Sequence, residues 1–362
     1  MSREAEIAGS RRGAEWLEIA TLQVEPLGAG IVGRSPAISA VMAAIERFAP
    51  HKGTVLVTGE SGTGKEVVAR ALHQRGPFAD GPLVSFNCSN LVSGLAESQL
   101  FGHIKGAFTH AHEAALGCFR QAQRGTLLLD EIGELPPGMQ AKLLRVVELL
   151  EVQPVGSTET VRLDLRLLAA TNRNLREMVR AGSFRADLYY RLDVASIKLP
   201  ALRERLDDVG ALIAHFADRY NHIFGKRIRL ISRRALAFLH AHQWPGNVRE
   251  LAHVIERAAL LSEDERIDVD DLPAELVAAL PHLQPAGLGD SAGDVSGPIR
   301  PLDYILREAV ERSLRQARGD CAKAARILGI SRPAIYRKMV RLGISNAAVR
   351  RYRGLPQPDL AR

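Results

Sequence analysis

Thr54-Val55-Leu56-Val57-Thr58-Gly59-Glu60-Ser61-Gly62-Thr63-Gly64-Lys65-Glu66 sets an apolar run, a glycine-rich turn and a lysine in immediate succession. The β-branched run Thr54 to Thr58 has the character of a strand buried on both faces. Glycines at 59, 62 and 64 let backbone N–H groups converge on phosphate oxygens, with Glu60, Ser61 and Thr63 completing the turn. A helix expected to start near Lys65 adds its positive end, and the lysine reaches the β/γ-phosphates. Glu66 stands where the general pattern has a Ser or Thr for Mg²⁺, so metal ligation is expected from elsewhere. The bland alternative is an ordinary glycine-rich turn. Its position between a buried-type strand and the apolar stretch Val67-Val68-Ala69-Arg70-Ala71-Leu72 argues against that.

Further strands are expected at Pro82 to Asn87, Gly125 to Glu131 and Leu165 to Asn172. In an open parallel sheet, ligands bind beyond the carboxyl ends of the strands, so the polar residues that end these runs should face the phosphates. Asp130 is placed to hold Mg²⁺, and Glu131 to orient or deprotonate an attacking water. Thr171 and Asn172 end the third run; they either sense the γ-phosphate or cap a helix. From about Leu202 the apolar spacing becomes helical, as in Val209, Leu212, Ile213 and Phe216, and a helical lid on the nucleotide domain is expected.

With 362 residues, 46% hydrophobic and 25% charged, the chain has room for one large core and one or two small modules. No apolar stretch approaches a membrane span and Met1 to Arg12 lacks a signal peptide's apolar run, so a cytoplasmic protein is expected. Cys88, Cys118 and Cys321 have no metal or redox spacing and read as reduced, structural thiols. The formal charge of +7 is uneven: from Pro301 onward there are 14 Lys+Arg against 5 Asp+Glu, and before it 34 against 36. A neutral body with a basic tail suggests a nucleic-acid-binding appendage. Within that tail, a helix around Leu302 to Leu314, a short helix Cys321 to Leu328, Gly329-Ile330-Ser331 and a Pro333-led third helix have helix-turn-helix order. Arg332, Tyr336, Arg337, Lys338 and Arg341 project from that last helix as the candidate DNA contacts; a basic oligomerisation domain is the alternative.

The organisation expected is a short extension (1–30), an α/β ATPase core (31–200), a helical lid (201–275), a linker (276–300), a helix-turn-helix domain (301–345) and a tail (346–362). Residues 1–30 show little periodicity and are too few for a sensory module, so no receiver domain is expected.

From about Ile31 to Ile344 the chain resembles the bacterial enhancer-binding proteins, AAA+ ATPases that activate sigma-54 RNA polymerase. Gly-Glu-Ser-Gly-Thr-Gly-Lys-Glu, with Glu66, is that family's form of the phosphate loop. Glu97-Ser98-Gln99-Leu100-Phe101-Gly102-His103 followed by Gly106-Ala107-Phe108-Thr109-His110-Ala111 resembles the loop whose tip touches the sigma factor. His110 departs from the family's glycine and puts a titratable side chain at the tip. The resemblance implies further that Asn87 is a switch residue linking Glu131 to the loop. It makes Arg185 and Arg191, in Phe184 to Leu192, the candidate arginine fingers offered to a neighbour. It makes Arg249 the lid's sensor arginine, and Glu134 to Leu150 a second loop lining a pore. Asp320 to Lys338 resembles the Fis-type DNA-binding domain.

The activity so implied uses ATP and Mg²⁺ to convert closed sigma-54 polymerase complexes to open ones. The partners implied are sigma-54 RNA polymerase, an upstream double-stranded DNA site, and further copies of the chain or a homologous subunit in a ring, with a separate regulatory protein as another possible partner. A sigma-54-independent DNA-binding regulator, using the ATPase body as an oligomerisation switch, is the rival; only His110 points that way. A helicase or clamp loader is a second rival, against which the insertion between Asn87 and Gly125 argues.

Overall fold

The computed structural model describes residues 16–25, 27, 30–91, 95–109, 111–262, 265–278, 310–317, 320–328, 335 and 339. Two compact units, Met1–Ala286 and Gly287–Arg362, divide the chain.

The first unit is built on five parallel strands: β1 (Val55–Thr58), β2 (Leu83–Asn87), β3 (Thr126–Asp130), β4 (Arg166–Thr171) and β5 (Ala195–Lys198), side by side in the order β2-β3-β4-β1-β5. Thr58 lies opposite both Thr171 and Lys198, and Asn87 opposite Asp130, so the strands' carboxyl ends form one edge. Side chains alternate across the sheet. Val55, Val57, Leu128, Leu168 and Ala170 pack with helices α1 (Pro36–Phe48) and α2 (Lys65–Gln74). Leu56, Leu127, Leu129, Leu167 and Ala169 pack on the other face with Leu100, Phe119, Leu143 and Leu188. Burial of both faces explains the uninterrupted apolar runs, each such side chain contributing roughly 1.5–3 kcal/mol.

Arg166 sits inside this core with no exposed surface, a charged residue in an otherwise apolar strand. Its guanidinium donates to the carbonyls of Phe48 (2.8 Å), Ala49 (2.8 Å) and Leu72 (2.9 Å), where α1 and α2 end. Those carbonyls are the unpaired, partially negative ends of two helices, which suits a cation without a carboxylate partner. Burial lowers the Arg166 pKa to about 10, so the group remains charged at neutral pH.

Helices Val209–Phe224, Arg233–Ala241 and Asn247–Leu261 surround Phe238, Trp244, Leu251 and Ile255 in a second core. This lid also carries strands. Trp16–Glu18 runs antiparallel to Leu230–Ser232, which in turn pairs in parallel with Arg266–Ile267. The expected helical lid thus also holds a small three-stranded sheet, and part of the short extension packs into it: Ile19 is buried in the lid core, flanked by Leu17, Leu22 and Val24. The stretch Glu134 to Leu150, expected as a loop, is mostly the helix Pro137–Leu149, with Pro at its first turn and Met139, Leu143, Val146 and Val147 on its buried face.

In the second unit, Val310, Leu314, Ala317, Ala324, Ala325, Ile335 and Met339 form one apolar cluster. Asp320 accepts from the N–H groups of Ala322 (2.9 Å) and Lys323 (3.2 Å) and so caps the helix Cys321–Ile327. Among the described residues, no helix is long and apolar enough to cross a membrane.

Candidate functional site

The turn after β1 uses its glycines as the spacing requires: Gly59, Gly62 and Gly64 have φ of +157°, +78° and +104°, values that side chains rarely tolerate. Thr63 closes the turn by donating its hydroxyl to the Glu60 carbonyl (2.8 Å). Lys65 opens α2 and is almost fully buried; its Nζ donates to the carbonyls of Gly59 (3.1 Å) and Glu60 (3.3 Å). The ammonium thus lies folded over the cradle it would share with phosphate oxygens.

Across the sheet edge, Glu131 Oε1 stands 3.7 Å from Lys65 Nζ, and Glu131 Oε2 accepts from the Asn172 N–H at 3.1 Å. Glu131 has φ +50°, an uncommon value for a residue other than glycine, so the chain turns sharply to aim this carboxylate. Asp130 is half-buried and accepts from the Glu131 N–H (3.0 Å). Burial, then the neighbouring Glu131 charge, raises the Asp130 pKa from its ordinary value. A divalent cation held by Asp130 together with nucleotide oxygens would relieve that desolvated charge, and one or two carboxylates plus phosphates is the ligand set Mg²⁺ prefers. Glu66 is exposed and reaches toward Arg70 (3.5 Å) instead.

Three expected residues are engaged differently. The Asn87 amide oxygen accepts from the Ser89 N–H (2.8 Å) and hydroxyl (2.6 Å); it lies beside Asp130 in register but is turned into its own loop. Thr171 is buried and its hydroxyl accepts from the Arg173 N–H (3.1 Å). Asn172 meets Glu131 through its backbone.

The lid closes on the turn from the other side. Arg249 donates its backbone N–H to Gly62 O (3.3 Å) and its guanidinium to the Ser61 hydroxyl (3.1 Å). Arg203 forms a two-bond ion pair with Glu60, at 2.8 and 2.5 Å. That pair and the Asn247 amide hold the Glu60 pKa down at about 2. The approach is close: a Cβ on Gly62 would stand 2.2 Å from the Gly246 carbonyl. Sequence reasoning identified Arg249 and the loop but missed Arg203 and Asn247. Trp244-Pro245-Gly246-Asn247 was a visible signal, since Pro-Gly between polar and aromatic residues marks a tight turn.

Arg185 and Arg191 lie apart from this constellation. Arg185 is paired with Asp187 (3.0 and 2.7 Å), and Arg191 reaches the Val147 carbonyl at 3.5 Å. Both are exposed and bond to neither Lys65, Asp130 nor Glu131.

The stretch likened to a sigma-contact loop begins after Gly102. His103 pairs with Ala115, and Ile104 N donates to Val155 O (3.1 Å), so the base is braced from two sides. Gly106, at φ +83°, donates its N–H to Ala111 O (2.8 Å), and Ala111 returns a bond to Phe108 O (2.9 Å). Phe108 is half-buried, its ring 4.9 Å from that of His103, whose Nδ1 is 2.7 Å from Ser98 Oγ. Ala107 is half-buried and Thr109 is exposed. His110 and the expected DNA contacts Arg332, Tyr336, Arg337, Lys338 and Arg341 lie outside the described residues.

Comparison with known proteins places these features in a wider group. Residues 31–198 match the sigma-54 interaction domain, 203–287 an AAA+ ATPase lid domain, and 307–345 the Fis family of bacterial regulatory proteins. The chain is 44% identical over 322 residues to the nitrogen fixation protein AnfA of Azotobacter vinelandii, covering 89% of this chain and 59% of AnfA. It therefore spans about three-fifths of that relative's length. It is 44% identical over 312 residues to the transcriptional regulatory protein ZraR of Salmonella typhimurium, covering 86% of this chain and 68% of ZraR. Among solved structures, NtrX from Brucella abortus in complex with ATP is similar with a TM-score of 0.64 at 32% identity, over 94% of this chain and 73% of that one.

Proposed function

Because the chain belongs to the family of sigma-54-interacting AAA+ ATPases with a Fis-type helix-turn-helix, we propose that it is an ATP-driven transcription activator. One observation carries this above others: the body with Lys65 and Glu131 3.7 Å apart also holds a braced loop on which Thr109 is exposed. Bound ATP would supply the phosphoryl group and Mg²⁺ the charge neutralisation at its oxygens. Gly59 to Lys65 would cradle the phosphates, Asp130 would hold the cation, and Glu131 would orient and accept a proton from the attacking water. Arg249 would register the nucleotide from the lid side.

Arg185 and Arg191, too far engaged elsewhere to serve this chain's own phosphates, would complete a neighbouring copy's site in a ring. Arg332, Tyr336, Arg337, Lys338 and Arg341 would dock the assembly on an upstream DNA site. Nucleotide-dependent preference between two loop positions would then drive the Gly106 to Ala111 loop against sigma-54 and open the promoter, since a ligand shifts an equilibrium only by its differential affinity.

The test is open-complex formation at a sigma-54 promoter on supercoiled DNA. ATP-dependent opening by the native protein, lost in Thr109→Ala, supports the reading. Opening only after His110→Gly assigns the missing contact to a partner subunit. ATP hydrolysis with no opening by either form favours a sigma-54-independent regulator.

A further inference from the structure

Asn247 is fully buried at the start of the lid helix Asn247–Leu261, in the left-handed region at φ +54°. Its side chain uses three of its four hydrogen-bonding positions on two different segments. Oδ1 accepts from the Leu202 N–H (2.8 Å), where the chain enters the lid, and Nδ2 donates to Glu60 Oε2 (3.2 Å) and Ser61 O (3.0 Å), both in the phosphate loop. Two residues on, Arg249 makes its own two bonds to Ser61 and Gly62.

We propose that Asn247 is a positioning residue that locks the lid to the phosphate loop and so sets where Arg249 stands relative to bound nucleotide. The inference rests on the nucleotide reading of the loop. A planar amide is the one small side chain that offers an acceptor and two donors in the required directions. Aspartate would lose both donors and set a second carboxylate against Glu60. Alanine would leave buried backbone groups at Leu202 and Ser61 short of a partner. Asparagine also tolerates φ near +54° better than most residues with a side chain. Because phosphate entry must settle the Glu60 to Gly62 backbone, any shift there is transmitted to Asn247 and from it to Arg249. Lid and loop therefore respond together, without a contact between Asn247 and the nucleotide.

The test is the affinity of the full chain for a fluorescent N-methylanthraniloyl ATP, measured for the native protein, Asn247→Asp, Arg249→Ala and the double variant. Thermal unfolding without nucleotide is followed in parallel. Asn247→Asp is expected to weaken binding by roughly 10-fold or more, within the usual range of coupling between linked groups. In the Arg249→Ala background the same change is expected to cost less than about 2-fold, because the effect passes through Arg249. Effects that multiply independently, or native affinity in Asn247→Asp, overturn the proposal. Should Asn247→Asp fail to fold, Glu60→Gln removes the carboxylate that Asn247 and Arg203 share at a half-buried position, and the same cycle with Arg249→Ala decides. A native protein that does not bind the probe removes the nucleotide reading, and this inference with it.

Discussion

The phosphate loop and the segment Phe184 to Leu192 are both rich in charge, yet their charged groups are held very differently. Around the loop every charged group has an internal partner: Lys65 with Glu131 and two carbonyls, Glu60 with Arg203 and Asn247, Arg249 with Ser61. Around the second segment, Tyr190 and Val194 are 72% and 68% exposed, flanking an Arg191 whose guanidinium makes one long contact among the described residues. Large apolar side chains exposed beside a weakly held arginine are what a surface covered by another molecule would show. The difference supports the proposal that the site is divided, with binding completed in cis and charge stabilisation during transfer supplied by a second copy.

The largest effect expected is on that division. Arg185→Ala or Arg191→Ala, whichever supplies the finger, should lower kcat by roughly 10³-fold with nucleotide affinity unchanged, as for arginines offered in trans. Steady-state hydrolysis beside equilibrium binding checks this, and a matching loss of affinity would mean that the arginine also serves binding.

Next in size is a change on the phosphate-loop side. Arg166→Met leaves three buried helix-end carbonyls without their donor and should destabilise the first unit by roughly 3 kcal/mol. Calorimetry should report a fall in Tm of several degrees. Native stability in this variant would mean that the ends of α1 and α2 are held by something else.

On the Arg191 side, Val194→Glu should leave Tm unchanged and raise the protein concentration for half-maximal ATPase activity by about 10-fold, the cost of losing one interface anchor. Unchanged concentration dependence would show that this face meets no second copy.

The smallest effect expected is at Glu60. Glu60 has a folded pKa of about 2 against an ordinary 4.5. Because the folded value is the lower one, its contribution is present above pH 4.5 and is lost as the pH falls toward 2. Glu60→Gln should flatten that part of the stability profile, measured by thermal unfolding between pH 5 and 2.5; an unaltered profile would show that the Arg203 pair contributes nothing measurable.

Legibility in the sequence followed the same line. Strand runs with both faces buried, the glycine spacing and the Asp130-Glu131 ending are local patterns, and the parallel sheet with its nucleotide edge could be read from them. Arg166 could not: a single charge in Leu165-Arg166-Leu167 has no periodicity, and its partners lie 94 to 118 residues away. The Trp16–Glu18 strand is three residues long and acquires its conformation only from the lid edge it pairs with. Asn247 was visible as a turn residue, but its three partners come from two distant segments. Pro137–Leu149 was the exception, because its i, i+4, i+7 apolar spacing was present and the resemblance to a loop overrode it.

The divided site is tested most directly by mixing two inactive proteins. Lys65→Ala keeps its arginines but lacks the phosphate-loop lysine; Arg185→Ala and Arg191→Ala keep the loop but each lacks one candidate finger. Each is assayed alone and then in equimolar mixture for ATP hydrolysis. The account predicts that mixing Lys65→Ala with the variant lacking the true finger restores a substantial fraction of native turnover. No activity from either mixture, when both variants assemble with native protein, would contradict a site shared between copies.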